Sequence, residues 1–136
     1  MPYVNVKYVK QQVSPAQKEL LISGIMDIIV NILGRNADLT VVTVDELDSS
    51  NWFIGGKTLS NTKNQHGGVI CVEINISKGT STDEQMLEVI KSGKSLVEKV
   101  LGSSDITNYF IINELNPDAW GFDGISMTTR NKLEAR

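Results

Sequence analysis

The second residue of the chain carries the most distinctive chemistry, because proline is the one amino acid whose free N-terminus is a secondary amine. Pro2 follows Met1 directly. If Met1 is removed, Pro2 becomes a nucleophilic base made without any side chain; with Met1 attached, the same nitrogen is an amide and not basic. An α-amino group titrates near about 7.7 to 8.0, and apolar burial pushes an amine lower. A free Pro2 could therefore be neutral at pH 7, able to take a proton beside a carbonyl and return it elsewhere. The plainer alternative is that Pro2 only starts an edge strand, where a missing N–H costs nothing.

Other reactive side chains give weaker signals. Cys71 lies in the apolar run Val69, Ile70, Cys71, Val72, Glu73, Ile74, where a free cysteine acts as a small buried hydrophobe. Nothing near it in sequence would lower its pKa, so no nucleophile is assigned to it. His66, the single histidine, sits in a polar stretch without partners at metal-ligand spacing, so no metal is expected. Gly55-Gly56 is a turn device with no phosphate-loop context. No cofactor is implied.

A terminal amine is useful only on a rigid element, since chain ends fray unless tied into a sheet. Tyr3 to Val9 alternate as a strand does. Sliding the sequence against itself by 68 residues, without a gap, then lays Val4 on Val72, Lys10 on Lys78, Gln17 on Gln85 and Leu33-Gly34 on Leu101-Gly102. Glu46-Leu47 falls on Glu114-Leu115, Trp52 on Trp120 and Gly56 on Gly124. Such ungapped agreement marks a duplicated module.

Each copy reads as β-α-β. A strand (2–9, then 69–77) leads to a helix start with cap chemistry, Ser14-Pro15 in one copy and Ser81, Thr82, Asp83 in the other. In the first helix Leu21, Ile22, Ile25, Ile28, Ile29, Ile32 and Leu33 recur at helical spacing, with Gly34 and Gly102 as C-terminal stops. Second strands at 39–47 and 107–115 are apolar enough to be interior and parallel to the first. Small hairpins follow at Trp52 to Gly56 and Trp120 to Gly124. The expected fold is α+β: one domain of two units, 2–60 and 69–128, joined by a linker at 61–68, with both helices on one face of a four-stranded sheet. The other face is expected to be too apolar for solvent and to pack on further copies.

Composition narrows the function classes. At 136 residues and 40% hydrophobic content the chain can bury a core. A net charge of −3 with interspersed signs offers no basic stripe for nucleic acid. No apolar run approaches the roughly 20 residues of a membrane helix, and no signal peptide opens the chain. One cysteine cannot form an internal disulfide, so a reducing cytoplasm is expected.

A strand beginning at Pro2, a β-α-β unit and Asn51-Trp52-Phe53-Ile54-Gly55-Gly56 after the second strand together resemble the tautomerase superfamily. The doubled unit resembles its fused branch, which includes cis-3-chloroacrylic acid dehalogenase and malonate semialdehyde decarboxylase. Asp118-Ala119-Trp120-Gly121-Phe122 looks most like the decarboxylase. The resemblance implies a homotrimer, a small carboxylate substrate and Pro2 as acid-base. The counterpart of Pro2 is Ile70, bonded on both sides, so each chain has one such amine.

The resemblance also assigns further residues. Trp52 falls where the family has an aromatic wall, Trp120 resembles the decarboxylase's active-site tryptophan, and Asp38 lies close to its water-activating aspartate. The family's arginines are replaced. Those of 4-oxalocrotonate tautomerase fall at Gln12 or Val13 and at Val41, and the dehalogenase's pair at Ser77 and Thr80, with its histidine at Ile29. The decarboxylase's pair falls at Lys78 and Thr80, which leaves Lys78 as the cation for a substrate carboxylate. Lysine lacks arginine's bidentate fork, so a weaker grip is expected. Three functions follow: a keto–enol tautomerase, a decarboxylase-like lyase or hydratase, and a non-catalytic trimer that keeps the fold.

Overall fold

The computed structural model describes every residue except 63, 64, 135 and 136; residues 63 and 64 of the expected linker therefore lie outside the described residues. Strand β1 (Tyr3–Val9) leads into helix α1 (Pro15–Asn31), β2 (Val41–Leu47) and the hairpin β3–β4 (Phe53–Ile54, Lys57–Thr58). The second copy repeats this as β5 (Ile70–Ser77), α2 (Asp83–Leu101), β6 (Tyr109–Leu115) and the hairpin β7–β8 (Gly121–Phe122, Ile125–Ser126). A third helix, α3 (Met127–Glu134), closes the second copy.

Local chemistry explains where the helices begin. Ser14 and Thr82 each accept a hydrogen bond from the backbone three residues on, and Gln17 and Gln85 accept from the cap residue's own N–H. These are reciprocal capping boxes. Each glutamine does more: Gln17 Nε2 donates to the Val100 carbonyl and Gln85 Nε2 to the Ile32 carbonyl, both at 3.2 Å. Each helix start thus satisfies an orphan carbonyl at the other helix's end, a reciprocity that follows the duplication. The helices touch where Gly24 meets Leu96; a Cβ on Gly24 would sit 2.2 Å from a Leu96 methyl.

The sheet order is β2-β1-β5-β6. β2 is parallel to β1 and β6 to β5, while β1 and β5 run antiparallel. This is the expected α+β architecture, with corrections to its margins. β2 and β6 are edge strands and not interior; their apolar residues Val42, Val44, Phe110 and Ile112 pack under the helices from the sheet margins. Val4, Val6, Tyr8, Val72, Ile74 and Ile76 form the centre of the core with Leu21, Ile25, Ile29, Val89 and Val97.

The opposite face also differs from expectation. Strand alternation sends Asn5, Lys7, Thr43, Asp45, Glu73 and Asn75 to it. Asn5 donates to Thr43 and Asp45, Lys7 pairs with Asp45 and Glu73, and Asn113 donates to Asn75. Its centre is polar; the exposed apolar residues, Tyr3, Val41 and Tyr109, lie toward the edges. Alternation divides the apolar content of β2 and β6 between the two faces of the sheet.

Two strand starts move for a related reason. Asn36 accepts from Asp38 N–H and holds Ala37–Leu39 as a 3-10 turn, so β2 begins at Val41 and not at 39. Asp105 likewise caps Thr107, and β6 begins at Tyr109.

Candidate active site

Pro2 is buried at the head of β1, and its carbonyl accepts from Val41 N–H at 3.3 Å. With β2 on one side and β5 on the other, the terminus is held as firmly as the strand itself. Beside it lies a cavity of about 740 Å3 that reaches from Met1 and Pro2 to Asp38, Asn75, Trp120 and Phe122. That volume falls in the range of small-molecule sites.

The antiparallel pairing of β1 and β5 decides which hairpin meets Pro2. Tyr3 lies across from Asn75 and Tyr8 across from Ile70, so the start of β1 neighbours the end of β5, beside which β6 also ends before its hairpin. The second hairpin therefore covers Pro2. Trp120 Nε1 donates to Ser77 Oγ at 3.0 Å, and Ser77 ends β5. Gly121 lets the hairpin close, because a Cβ there would sit 2.1 Å from the Ile125 carbonyl oxygen. Helix α3 backs the hairpin: Met127 N–H donates to Trp120 O, and the Arg130 guanidinium stacks 3.8 Å above the Phe122 ring while donating to Phe122 O.

Of the residues singled out from sequence, Pro2, Asp38 and Trp120 line this one cavity. Trp52 does not. β2 ends at Leu47 beside Val9, so the hairpin that follows Trp52 belongs to the far end of the sheet, where β5 begins at Ile70. Lys78 directly follows β5 and donates its backbone N–H to Leu115 O, but the residue is exposed and outside the cavity lining.

Sequence reasoning missed Glu73, Asn75 and Phe122 as lining residues. The signal for the first two was present: they alternate with the buried Val72, Ile74 and Ile76, so they face the side on which Pro2 opens. Asn75 Nδ2 donates to Tyr3 O at 3.0 Å while its carbonyl accepts from Asn113, which fixes the amide's orientation. Arg35 was also missed. It reaches the turn before α2 and donates to Thr80 O, Thr80 Oγ1 and Ser81 Oγ, and burial lowers its pKa from the usual arginine value.

The remaining reactive side chains have structural surroundings. Burial, with Glu73 nearby, pushes the Cys71 thiol up, the opposite of what a nucleophile needs. His66 Nδ1 pairs with Asp105 at 2.9 Å, and Asp105 also accepts from Gly67 N–H and Thr107. This cluster closes the chain before β5. Among the described residues no group of three or more His, Cys, Asp or Glu is placed to hold a metal, and no helix is long and apolar enough to cross a membrane.

The family model described as "Tautomerase enzyme" matches residues 2–62 and again 71–130. A "Probable tautomerase K2" of Dickeya dadantii is 40% identical over 65 residues, 48% of this chain and 97% of its own length. A "Probable tautomerase" of Helicobacter pylori strain J99 is 35% identical over 68 residues, 48% of this chain and 100% of its own. Among solved structures, a "Q0 fused 4-OT wild type symmetric trimer" superposes with a TM-score of 0.80 at 18% identity, covering 94% of this chain and 98% of that one. A member of the cis-3-chloroacrylic acid dehalogenase family superposes with a TM-score of 0.76 at 16% identity, covering 98% of this chain and 88% of its own.

Proposed function

The chain belongs to the tautomerase family, and on that premise we propose that it moves a proton on a small enol or 2-oxo carboxylate, with the amine of Pro2, freed of Met1, as acid-base. The observation that carries this reading is the place of Pro2: buried at the end of a central strand, in the wall of a cavity that Trp120 and Phe122 also line. Neutral Pro2 takes the proton of the enol hydroxyl as the carbonyl forms. The ammonium then delivers a proton to the adjacent carbon, which completes ketonisation and restores the amine. No co-reactant is consumed. Asn75, whose amide is oriented by Asn113, is proposed to donate to the oxygen on which charge develops.

The relatives described as trimers motivate a homotrimer here, with one Pro2 per chain and three per assembly. The exposed Tyr3, Val41, Phe53 and Tyr109 are the surfaces proposed to meet other copies. Trp52, remote from its own chain's Pro2, is proposed to serve a neighbouring protomer's cavity. Lys78 receives no substrate contact in this reading, since its side chain lies outside the lining. A reducing cytoplasmic setting remains part of the proposal because Cys71 is free.

The test is the assay of Met-free protein with phenylenolpyruvate and 2-hydroxymuconate beside Pro2→Ala. Turnover that depends on Pro2 is expected; activity equal to that of the variant would remove the reading. A second reading, a decarboxylase-like lyase, is favoured by one observation: Asp38 shares the cavity with Pro2 and Trp120. It expects carbon dioxide release from malonate semialdehyde that Asp38→Asn abolishes.

A further inference from the structure

The two hairpins close alike and then part. Leu59 N–H donates to Trp52 O in the first copy and Met127 N–H to Trp120 O in the second, at 2.8 and 2.9 Å. Beyond that shared bond the first copy makes a single 3-10 turn, Leu59–Asn61, while the second grows helix α3. At the 68-residue register Phe122 falls on Ile54 and Arg130 on Thr62. The aromatic ring and the cation over it therefore belong to the hairpin that covers Pro2 and not to its repeat.

Helix α3 is bonded to that hairpin along its first turn. Thr128 N–H donates to Pro117 O, Thr128 Oγ1 to Asp118, and Thr129 N–H to Ser126 Oγ. Arg130 follows. Its guanidinium lies 3.8 Å from the centroid of the Phe122 ring, inside the roughly 6 Å reach of a cation–π contact, and its Nη2 donates to Phe122 O at 3.3 Å. One side chain thus grips both the ring and the backbone of the same residue. Its Nε is buried with no acceptor among the described residues, a cost that an arginine free to swing into water would not bear. Phe122, Trp120 and Met127 line the cavity beside Pro2. A ring held on one face and at its own carbonyl keeps its orientation, and a fixed flat wall favours a flat body over a puckered one of similar size.

We propose that Arg130 is a positioning residue that sets the shape preference of the Pro2 cavity: it seats Phe122 as a fixed wall, so that planar, ring-bearing ligands are taken ahead of puckered ones. The proposal rests on the tautomerase reading for its kinetic test alone.

The first test is calorimetric binding of 3-phenylpropanoate and of 3-cyclohexylpropanoate, a flat and a puckered ring on the same tail. Native protein is expected to bind the flat ligand at least fivefold more tightly. Arg130→Met keeps most of the stem and removes the unpaired Nε, so the ratio is expected to fall below twofold while Tm stays within about two degrees. Arg130→Lys, with the charge but not the planar fork, should fall between. Phe122→Leu should lose the preference as well, and adding Arg130→Met to it should cost no more. Equal binding of the two ligands or binding of neither by native protein, a preference that survives Arg130→Met, or a further loss in the double variant would overturn the proposal. The second test is ketonisation of phenylenolpyruvate. Arg130→Met is expected to raise KM at least fivefold with kcat within about threefold, because the wall meets the body of the substrate and not its reacting atoms. A fall in Tm with KM unchanged would make Arg130 merely structural and overturn the proposal. If Pro2→Ala turns over phenylenolpyruvate as native protein does, the tautomerase reading fails, and the flat-over-puckered binding ratio still decides the role of Arg130.

Discussion

The indole of Trp120 donates to the hydroxyl of Ser77 across 3.0 Å, and Ser77 is buried at the last position of β5. This bond ties a hairpin of the second copy to the strand end that neighbours the start of β1. It is how one half of a duplicated chain supplies the wall for a terminus that only the other half possesses.

Trp120→Phe keeps an aromatic wall and removes that donor. The buried Ser77 hydroxyl loses its partner, a loss of about 1 kcal/mol. The expected result is a drop of a few degrees in Tm and about a tenfold lower kcat/KM on an enol substrate. Ser77→Ala should reproduce both, and the double variant should be less than additive. Additive losses in a double-mutant cycle would show that the two residues act separately.

Two glycines separate the hairpin from the core. Gly121→Ala drives a Cβ into the Ile125 carbonyl, a backbone atom that cannot turn aside. It should open the β7–β8 hairpin and reduce activity at least tenfold. Gly93→Ala, whose Cβ would meet the Phe110 ring at 2.4 Å, should destabilise by about 1–3 kcal/mol and leave activity per folded molecule near normal. Urea unfolding beside steady-state kinetics distinguishes the two.

Asp105 should govern stability in acid. Burial works to raise its pKa, but hydrogen bonds from Thr107 and His66 outweigh it and hold the carboxyl below the ordinary carboxylate range. A carboxyl with a lower pKa in the fold stabilises above its unfolded value, near about 3.9, and that stability is lost as pH falls through the folded value. Asp105→Asn is therefore expected to lower stability by about 1–3 kcal/mol at pH 7, with the difference from the native protein shrinking below about pH 4. A constant difference across that range, in denaturant titrations, would contradict the assignment.

Tyr8 should govern the alkaline side. Its hydroxyl is buried without an aligned hydrogen-bond partner. Burial first, then the charge of the neighbouring Glu46 and its carboxylate's approach to the hydroxyl, push its pKa up to about 12. A raised pKa means the stability is whole below the unfolded value of about 10 and declines as pH rises toward the folded one. Tyr8→Phe should be neutral or stabilising by up to about 1 kcal/mol at pH 7 and should flatten the fall in Tm between pH 10 and 12.

What could be read from sequence was local or repeated. Ser14 with Gln17 and Thr82 with Gln85 announce their helices because a capping box needs only four residues. The parallel pairing within each copy follows from β-α-β order. Helix α3 was not legible, because Met-Thr-Thr-Arg-Asn-Lys-Leu-Glu has no apolar stripe and Met127 is its buried apolar residue. The polarity of the open face required knowing which alternate residues point there.

The site was legible in part for the same reason. Pro2 and Trp120 each stand out in sequence, but a repeat does not say whether the hairpin beside Pro2 comes from its own copy or the other. The antiparallel β1–β5 pairing gives that position to Trp120 and sends Trp52 to the opposite end. Glu73 and Asn75 carry no motif and enter the cavity by register alone.

The central claim concerns the nitrogen of Pro2, and one measurement bears on it directly: the rate of phenylenolpyruvate ketonisation by protein whose intact mass shows Met1 to be absent, beside Pro2→Ala prepared in the same way. The account expects the Met-free native protein to exceed the variant by about 100-fold or more, about 100-fold being the lower end of the range for a positioned acid-base group. Equal rates for the two Met-free proteins would contradict it.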